Sequence, residues 1–114
     1  HLYIKSDVYG FGVVLLEMLT GRAALDTNQP TGMQNLVEST ISSLHSKKRL
    51  KGIMDPNMEE EYSLRAAFQI AQVILKCLES KPQKRPSMEE VLETLEKAQA
   101  IKYKPKVKKG SAVP

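Results

Sequence analysis

The residues whose types and spacing could do chemistry are few. Gly10-Phe11-Gly12 has a glycine spacing that can cradle phosphate oxygens, but such a cradle needs a strand-to-helix turn, and this triplet sits inside an apolar run that reads as helix interior. Asp7 reads as an acid in the first turn of a helix, favoured there by roughly 0.3–1 kcal/mol through the helix dipole. Glu17 reads as a packed or capping acid farther along the same segment, and Arg85 as a solvated arginine in a basic connector. Cys77 lies on an apolar helical face, where a thiol behaves as a small buried hydrophobe and not as a nucleophile or ligand. His1 and His45 are too isolated to suggest a metal site. Tyr3, Ser39, Thr40, Ser42 and Ser43 carry hydroxyls that accept phosphate, as do many surface residues.

The elements that must hold these residues follow from the apolar spacing. Residues 7–20 form a long apolar stretch with Ser6 as N-cap and Gly21 as helix stop, which predicts a helix. Apolar side chains cover nearly its whole circumference, the pattern of a helix enclosed by protein. Residues 22–33 contain Asn28, Pro30 and Gly32 without periodicity and read as a loop. Leu36, Val37, Ile41 and Leu44 predict a short amphipathic helix over residues 35–45. Residues 47–62 are mixed, with an apolar step at Leu50 and Ile53 and a turn signal at Asp55-Pro56. Ala67, Ile70, Ala71, Ile74 and Leu78 predict a helix over residues 63–79. Pro82 and Pro86 then bracket Lys84-Arg85, and Ser87-Met88-Glu89-Glu90 has capping-box spacing. A last helix carries the stripe Met88, Val91, Leu92, Leu95 and Ala98 and frays near Ile101. Residues 102–114 read as disordered.

Composition sets the outer bounds. A chain of 114 residues makes one domain. It hides roughly two-thirds of its unfolded surface, so a helix that is apolar all round is hard to cover without outside help. The net charge of +4 comes from Lys102, Lys104, Lys106, Lys108 and Lys109; the body is close to neutral. Basic residues gathered on an end segment, not on a folded face, argue against nucleic-acid binding. The single cysteine excludes an internal disulfide framework. No secretory leader is visible, and the strongest apolar run falls short of the ~20 residues a membrane-spanning helix needs.

The run Lys5-Ser6-Asp7-Val8-Tyr9-Gly10-Phe11-Gly12-Val13-Val14-Leu15-Leu16-Glu17-Met18-Leu19-Thr20-Gly21-Arg22 resembles the central helix of the protein kinase C-lobe as plant receptor-like cytoplasmic kinases write it. Leu25-Asp26, Asn35-Leu36-Val37-Glu38, Asp55-Pro56, Cys77-Leu78 and Lys84-Arg85-Pro86-Ser87-Met88 resemble that family's later landmarks, in order. The resemblance implies an all-α fold, the lower half of a kinase C-lobe with about four main helices around a buried apolar central helix. It places the partial kinase domain at residues 1–98 and a basic tail at 99–114.

The resemblance also assigns roles. Asp7 matches the aspartate that holds the catalytic-loop backbone, and Arg85 the arginine that pairs with the glutamate closing the activation segment. That glutamate would lie before His1, which leaves Arg85 expected to turn toward water. Glu17 matches a position lining the substrate groove of basophilic kinases. No glycine-rich phosphate loop, strand lysine, catalytic-loop aspartate or metal-binding Asp-Phe-Gly occurs in residues 1–114. The expectation is therefore a chain that is inactive by itself and has no cofactor of its own, whereas the family uses ATP and magnesium. The partner implied is the remainder of a kinase domain, or another protein covering the central helix. The alternative function is a non-catalytic helical interaction module. The family resemblance implies a cytoplasmic location, with the plasma membrane as a second one, and the lysine tail gives weak membrane attraction at most. Three departures stand out: Gly10 where relatives carry serine, Ser39-Thr40 where they carry tryptophan, and Lys81 before Pro82 where an acid or asparagine is usual.

Overall fold

The computed structural model describes residues 2–24 and 35–101, and all its elements are helical. Six α-helices, α1 (Leu2–Thr20), α2 (Leu36–Thr40), α3 (Lys47–Ile53), α4 (Pro56–Glu61), α5 (Leu64–Cys77) and α6 (Met88–Ile101), are joined by 3-10 turns at Ile41–His45 and Pro82–Lys84. The all-α class read from the sequence is the one observed. Residues 25–34, with Leu25 and Asp26, and the lysines of 102–109 lie outside the described residues.

α1 starts five residues earlier than its capping signals suggest, so Ser6 lies within the helix instead of capping it. No proline or glycine interrupts residues 2–6, and helical continuation sets Lys5 and Tyr9 one turn apart on one face, where both meet Arg85. Its end is sharp. Gly21 adopts φ 73° and donates its N–H to the Glu17 carbonyl at 2.8 Å. The Leu19 carbonyl accepts from the Asp55 N–H at 2.8 Å, so a helix-end acceptor finds its partner across the fold. A Cβ at residue 21 would lie 2.7 Å from Asp55 Oδ2, which leaves glycine as the residue that fits.

Residues 47–62 resolve into two short helices. Ser46 Oγ accepts from the Arg49 N–H at 3.3 Å to start α3, and Asp55 Oδ1 accepts from the Asn57 N–H at 3.0 Å to start α4, with Pro56 at its first position. The helix expected over 35–45 is divided: α2, capped by Asn35, gives way at Ile41 to a 3-10 turn. Leu36, Leu44, Leu50 and Met54 from these short pieces are buried together.

The core gathers around α5, which packs on α1, α6, α3 and the Ile41–His45 turn. Its buried residues are mostly small, Ala66, Ala67, Ala71 and Cys77 among them, and small side chains let several helix axes approach one rod. A close approach occurs at Gly12 of α1. A Cβ there would lie 2.6 Å from Cys77 Cβ, so hydrogen at that position permits the α1–α5 crossing.

α6 opens with the capping box read from the sequence. The Ser87 N–H donates to Glu90 Oε1 at 2.8 Å, and the Glu90 N–H donates to Ser87 Oγ at 3.1 Å. The amide bond from Ser87 holds the Glu90 carboxyl below its usual range. One residue of the expected stripe departs. Leu92 is 51% exposed, because the side buried against α5 follows Val91 and Ala98, with Met88 and Leu95 half-buried beside them. Leu92 sits about 100° round the helix from Val91.

Candidate functional site

Asp7 and Glu17 lie along α1, and Arg85 on the connector facing it. Arg85 is the most engaged of them. Its Nε donates to the Glu79 carbonyl at 2.7 Å and its Nη2 to the Ser80 carbonyl at 3.4 Å, drawing the chain after α5 around the guanidinium. Nη1 donates to the Lys5 carbonyl at 3.0 Å, while the guanidinium carbon lies 4.9 Å from the centre of the Tyr9 ring. Lys5 answers by donating Nζ to the Arg85 carbonyl. Arg85 is thus half-buried and does not turn toward water. Backbone carbonyls take the donors that a carboxylate would otherwise receive, and the planar fork serves several of them at once.

Glu17 is half-buried, and its Oε2 accepts from the Ala24 N–H at 2.8 Å. The carboxylate therefore ties down the chain just past the Gly21 stop, the capping use of an acid. Asp7 is exposed in the second turn of α1, not the first, and makes no side-chain hydrogen bond among the described residues. Asp7 and Glu17 stand ten residues apart on one helix, about 15 Å along its axis. The three residues do not converge on one constellation.

Cys77 is buried at the Gly12 crossing, and burial pushes its thiol up to about 11, a change that the nearby Arg85 charge only partly offsets. Such a thiol stays protonated and unreactive near neutral pH. His45 is exposed, and among the described residues no group of His, Cys, Asp or Glu gathers at metal-binding distances. Ser39 Oγ donates to the Leu36 carbonyl at 3.2 Å and lies 3.4 Å from Arg22 Nη2. No helix among the described residues is long and apolar enough to cross a membrane.

The surface that stands out is the side of α1 turned away from α5. Val8, Leu15, Leu16 and Leu19 are buried, but Ile4, Val14 and Met18 are 48%, 46% and 62% exposed, with Phe11 half-buried between them. Their spacing of three, four and seven residues puts them on one stripe. The sequence showed a helix apolar all round; among the described residues, one side is covered and the other open. Two features went unread in the sequence. The Gly12–Cys77 approach had a signal, a glycine inside a helical pattern, which often marks close packing. The Lys5–Tyr9–Arg85 cluster had none, since Arg85 lies 80 residues from Lys5.

A sequence profile of the protein kinase domain matches residues 1–95. The chain is 49% identical over 96 residues to the probable serine/threonine-protein kinase PBL11 of Arabidopsis thaliana, covering 84% of this chain and 25% of that protein. It is 50% identical over 102 residues to receptor-like cytoplasmic kinase 176 of Oryza sativa subsp. japonica, covering 90% and 26%. Against the probable serine/threonine-protein kinase CST of Arabidopsis thaliana it is 44% identical over 105 residues, covering 92% and 25%. The chain spans about a quarter of the length of these relatives.

Proposed function

Because the chain belongs to the protein kinase domain family, with plant receptor-like cytoplasmic serine/threonine kinases among its relatives, we propose that residues 1–98 are the lower part of a kinase C-lobe and act in phosphorylation-based signalling as a platform, not as the catalytic centre. The observation that carries this reading is the two-sided character of α1: one side packed on α5, the other an open stripe of Ile4, Val14 and Met18. The rest of a kinase domain is the occupant that this stripe suits. Phosphoryl transfer depends on groups that position ATP and magnesium and neutralise charge on the transferring oxygens, and residues 1–114 contain none of the family's motifs for that work. By resemblance, Asp7 serves there as an anchor for the catalytic-loop backbone, and Arg85 as the partner of the glutamate closing the activation segment; its contacts with Lys5 and Tyr9 also support α1.

Two measurements test the reading together. Residues 1–114 alone should show neither saturable magnesium-ATP binding nor phosphate transfer to a generic serine/threonine substrate. A chimera of receptor-like cytoplasmic kinase 176 in which residues 1–98 replace the matching segment should fold and keep kinase activity. Magnesium-ATP binding by the short chain, or a folded but inactive chimera, would refute the proposal. The same exposed stripe supports a second reading, a non-catalytic module that binds a kinase or scaffold protein through α1. That reading requires a defined complex in solution, and a monomer with cooperative unfolding and no complex in co-purification counts against it.

A further inference from the structure

The solvent side of α6 is sorted into two edges. Glu89, Glu93 and Glu96 fall within about 60° of one another around the helix, and Leu92 lies beside them with Leu95 and Gln99. Leu92 is 51% exposed, and two shallow clefts of about 490 and 360 Å³ meet at its side chain. Glu89, Glu93 and Glu96 are exposed and make no side-chain hydrogen bond among the described residues. Lys97 stands on the flank beyond Glu93, so the ridge itself carries only negative charge.

The segment that follows α6 is Lys102-Tyr103-Lys104-Pro105-Lys106-Val107-Lys108-Lys109. In extended backbone, successive side chains point to opposite sides, which places Lys102, Lys104, Lys106 and Lys108 on one edge and Tyr103, Pro105 and Val107 on the other. An acidic edge beside an apolar edge on α6 is thus matched by a basic edge beside an apolar edge in the segment leaving its end. Reach is sufficient. Leu92 lies about 14 Å along the axis from Ile101, and the six residues from Ile101 to Val107 span up to about 20 Å when extended.

We propose that the segment 102–109 folds back across α6, its lysines paired with Glu89, Glu93 and Glu96 and an apolar side chain covering Leu92. The short tether keeps the local concentration of the segment high, so individually weak surface pairs act together. Docking in this way hides an exposed leucine and sets three carboxylates against the five lysines of the tail.

The chain has no tryptophan, so Tyr103→Trp in the full chain provides a single emission signal in this segment. The expected result is blue-shifted emission with protection from acrylamide quenching, independent of protein concentration. Salt near 0.5 M should abolish both, since it cuts the screening length to about 4 Å. Leu92→Ala and the pair Glu93→Lys/Glu96→Lys change exposed residues, and each should return the emission to that of a free peptide while far-ultraviolet circular dichroism stays unchanged. Emission equal to that of the isolated peptide 102–114 overturns the proposal. So does a shift that appears only at high protein concentration, which assigns the contact to a second copy. A shift that appears only with vesicles containing anionic lipid assigns the segment to a membrane surface instead and equally overturns it.

Discussion

Replacing Gly12 by alanine tests the close packing of α1 on α5. The added methyl carbon would stand 2.6 Å from Cys77 Cβ and 3.4 Å from Leu78 Cδ2. Carbon atoms in contact settle at about 3.5–4.0 Å, so α1 and α5 must part by about 1 Å where they cross. Two effects oppose each other. Alanine gains about 0.5–1 kcal/mol over glycine in a helix interior, while overfilling a packed contact costs about 1–3 kcal/mol. Packing wins, because Cys77 Cβ is fixed to its backbone and cannot rotate away, and the net loss is about 1–2 kcal/mol. For a domain of this size that lowers the thermal midpoint by about 4–8 °C per kcal/mol. Urea unfolding followed by circular dichroism reads the change directly. Gly10→Ala is the control, since a Cβ there meets nothing within 4 Å, and it should stabilise by about 0.5–1 kcal/mol. In a Cys77→Gly background the obstructing atom is gone, and Gly12→Ala should then stabilise as Gly10→Ala does. Equal midpoint shifts for Gly12→Ala and Gly10→Ala in the native background would refute the close-approach argument.

Three further outcomes follow from the same contacts. Gly21→Ala forces a side chain to φ 73° and drives it into Asp55, which caps α4; a loss of at least about 1–2 kcal/mol is expected in the same unfolding assay. Arg85→Ala removes the donors to Lys5, Glu79 and Ser80 and should cost about 2–3 kcal/mol, and Arg85→Lys should fail to restore it because an ammonium cannot span three carbonyls. Cys77 is held protonated to about 11, above its ordinary 9.0, so the unfolded chain loses this proton first as pH rises. Stability should therefore fall between those two pH values, an effect absent from Cys77→Ala, and a thiol reagent at neutral pH should label Cys77 only at the rate of unfolding.

What was legible in the sequence was whatever is encoded locally. Ser87 and Glu90 are three residues apart, and their reciprocal capping was readable because both partners of each bond lie in one short window. The helix ending at Gly21 was readable for the same reason. The segment 47–62 was harder, although its caps were present: Ser46 and Asp55-Pro56 mark helix starts, but the helices they start have seven and six residues, too short to show a period. Leu92 was misplaced because a stripe of apolar residues one turn wide does not say which of two adjacent positions faces the neighbour. The surroundings of Arg85 were out of reach altogether. Its partners at Lys5 and Tyr9 come from the far end of the chain, and the meeting depends on how α1 crosses α5.

These long-range contacts share one effect, the fixing of α1. Near its start, Arg85 binds the Lys5 carbonyl and stacks on Tyr9; at its middle, Gly12 seats it against Cys77; at its end, the Leu19 carbonyl is held by the Asp55 amide. A helix of 19 residues is about 28 Å long, and three attachments along that length leave little freedom to tilt or slide. The first two act from the connector and α5, and the third from the turn between α3 and α4, which leaves the stripe of Ile4, Val14 and Met18 open but rigidly placed. Burial alone would not require this arrangement, since a loosely seated apolar helix hides nearly as much surface. Rigid placement matters when a second structure must be held to within a fraction of an ångström on the open side, as catalytic groups must be. The platform reading therefore predicts that Arg85→Lys, in a folded chimera with a relative's catalytic half, lowers kcat more than it raises KM, because loosening α1 disturbs positioning before it disturbs binding.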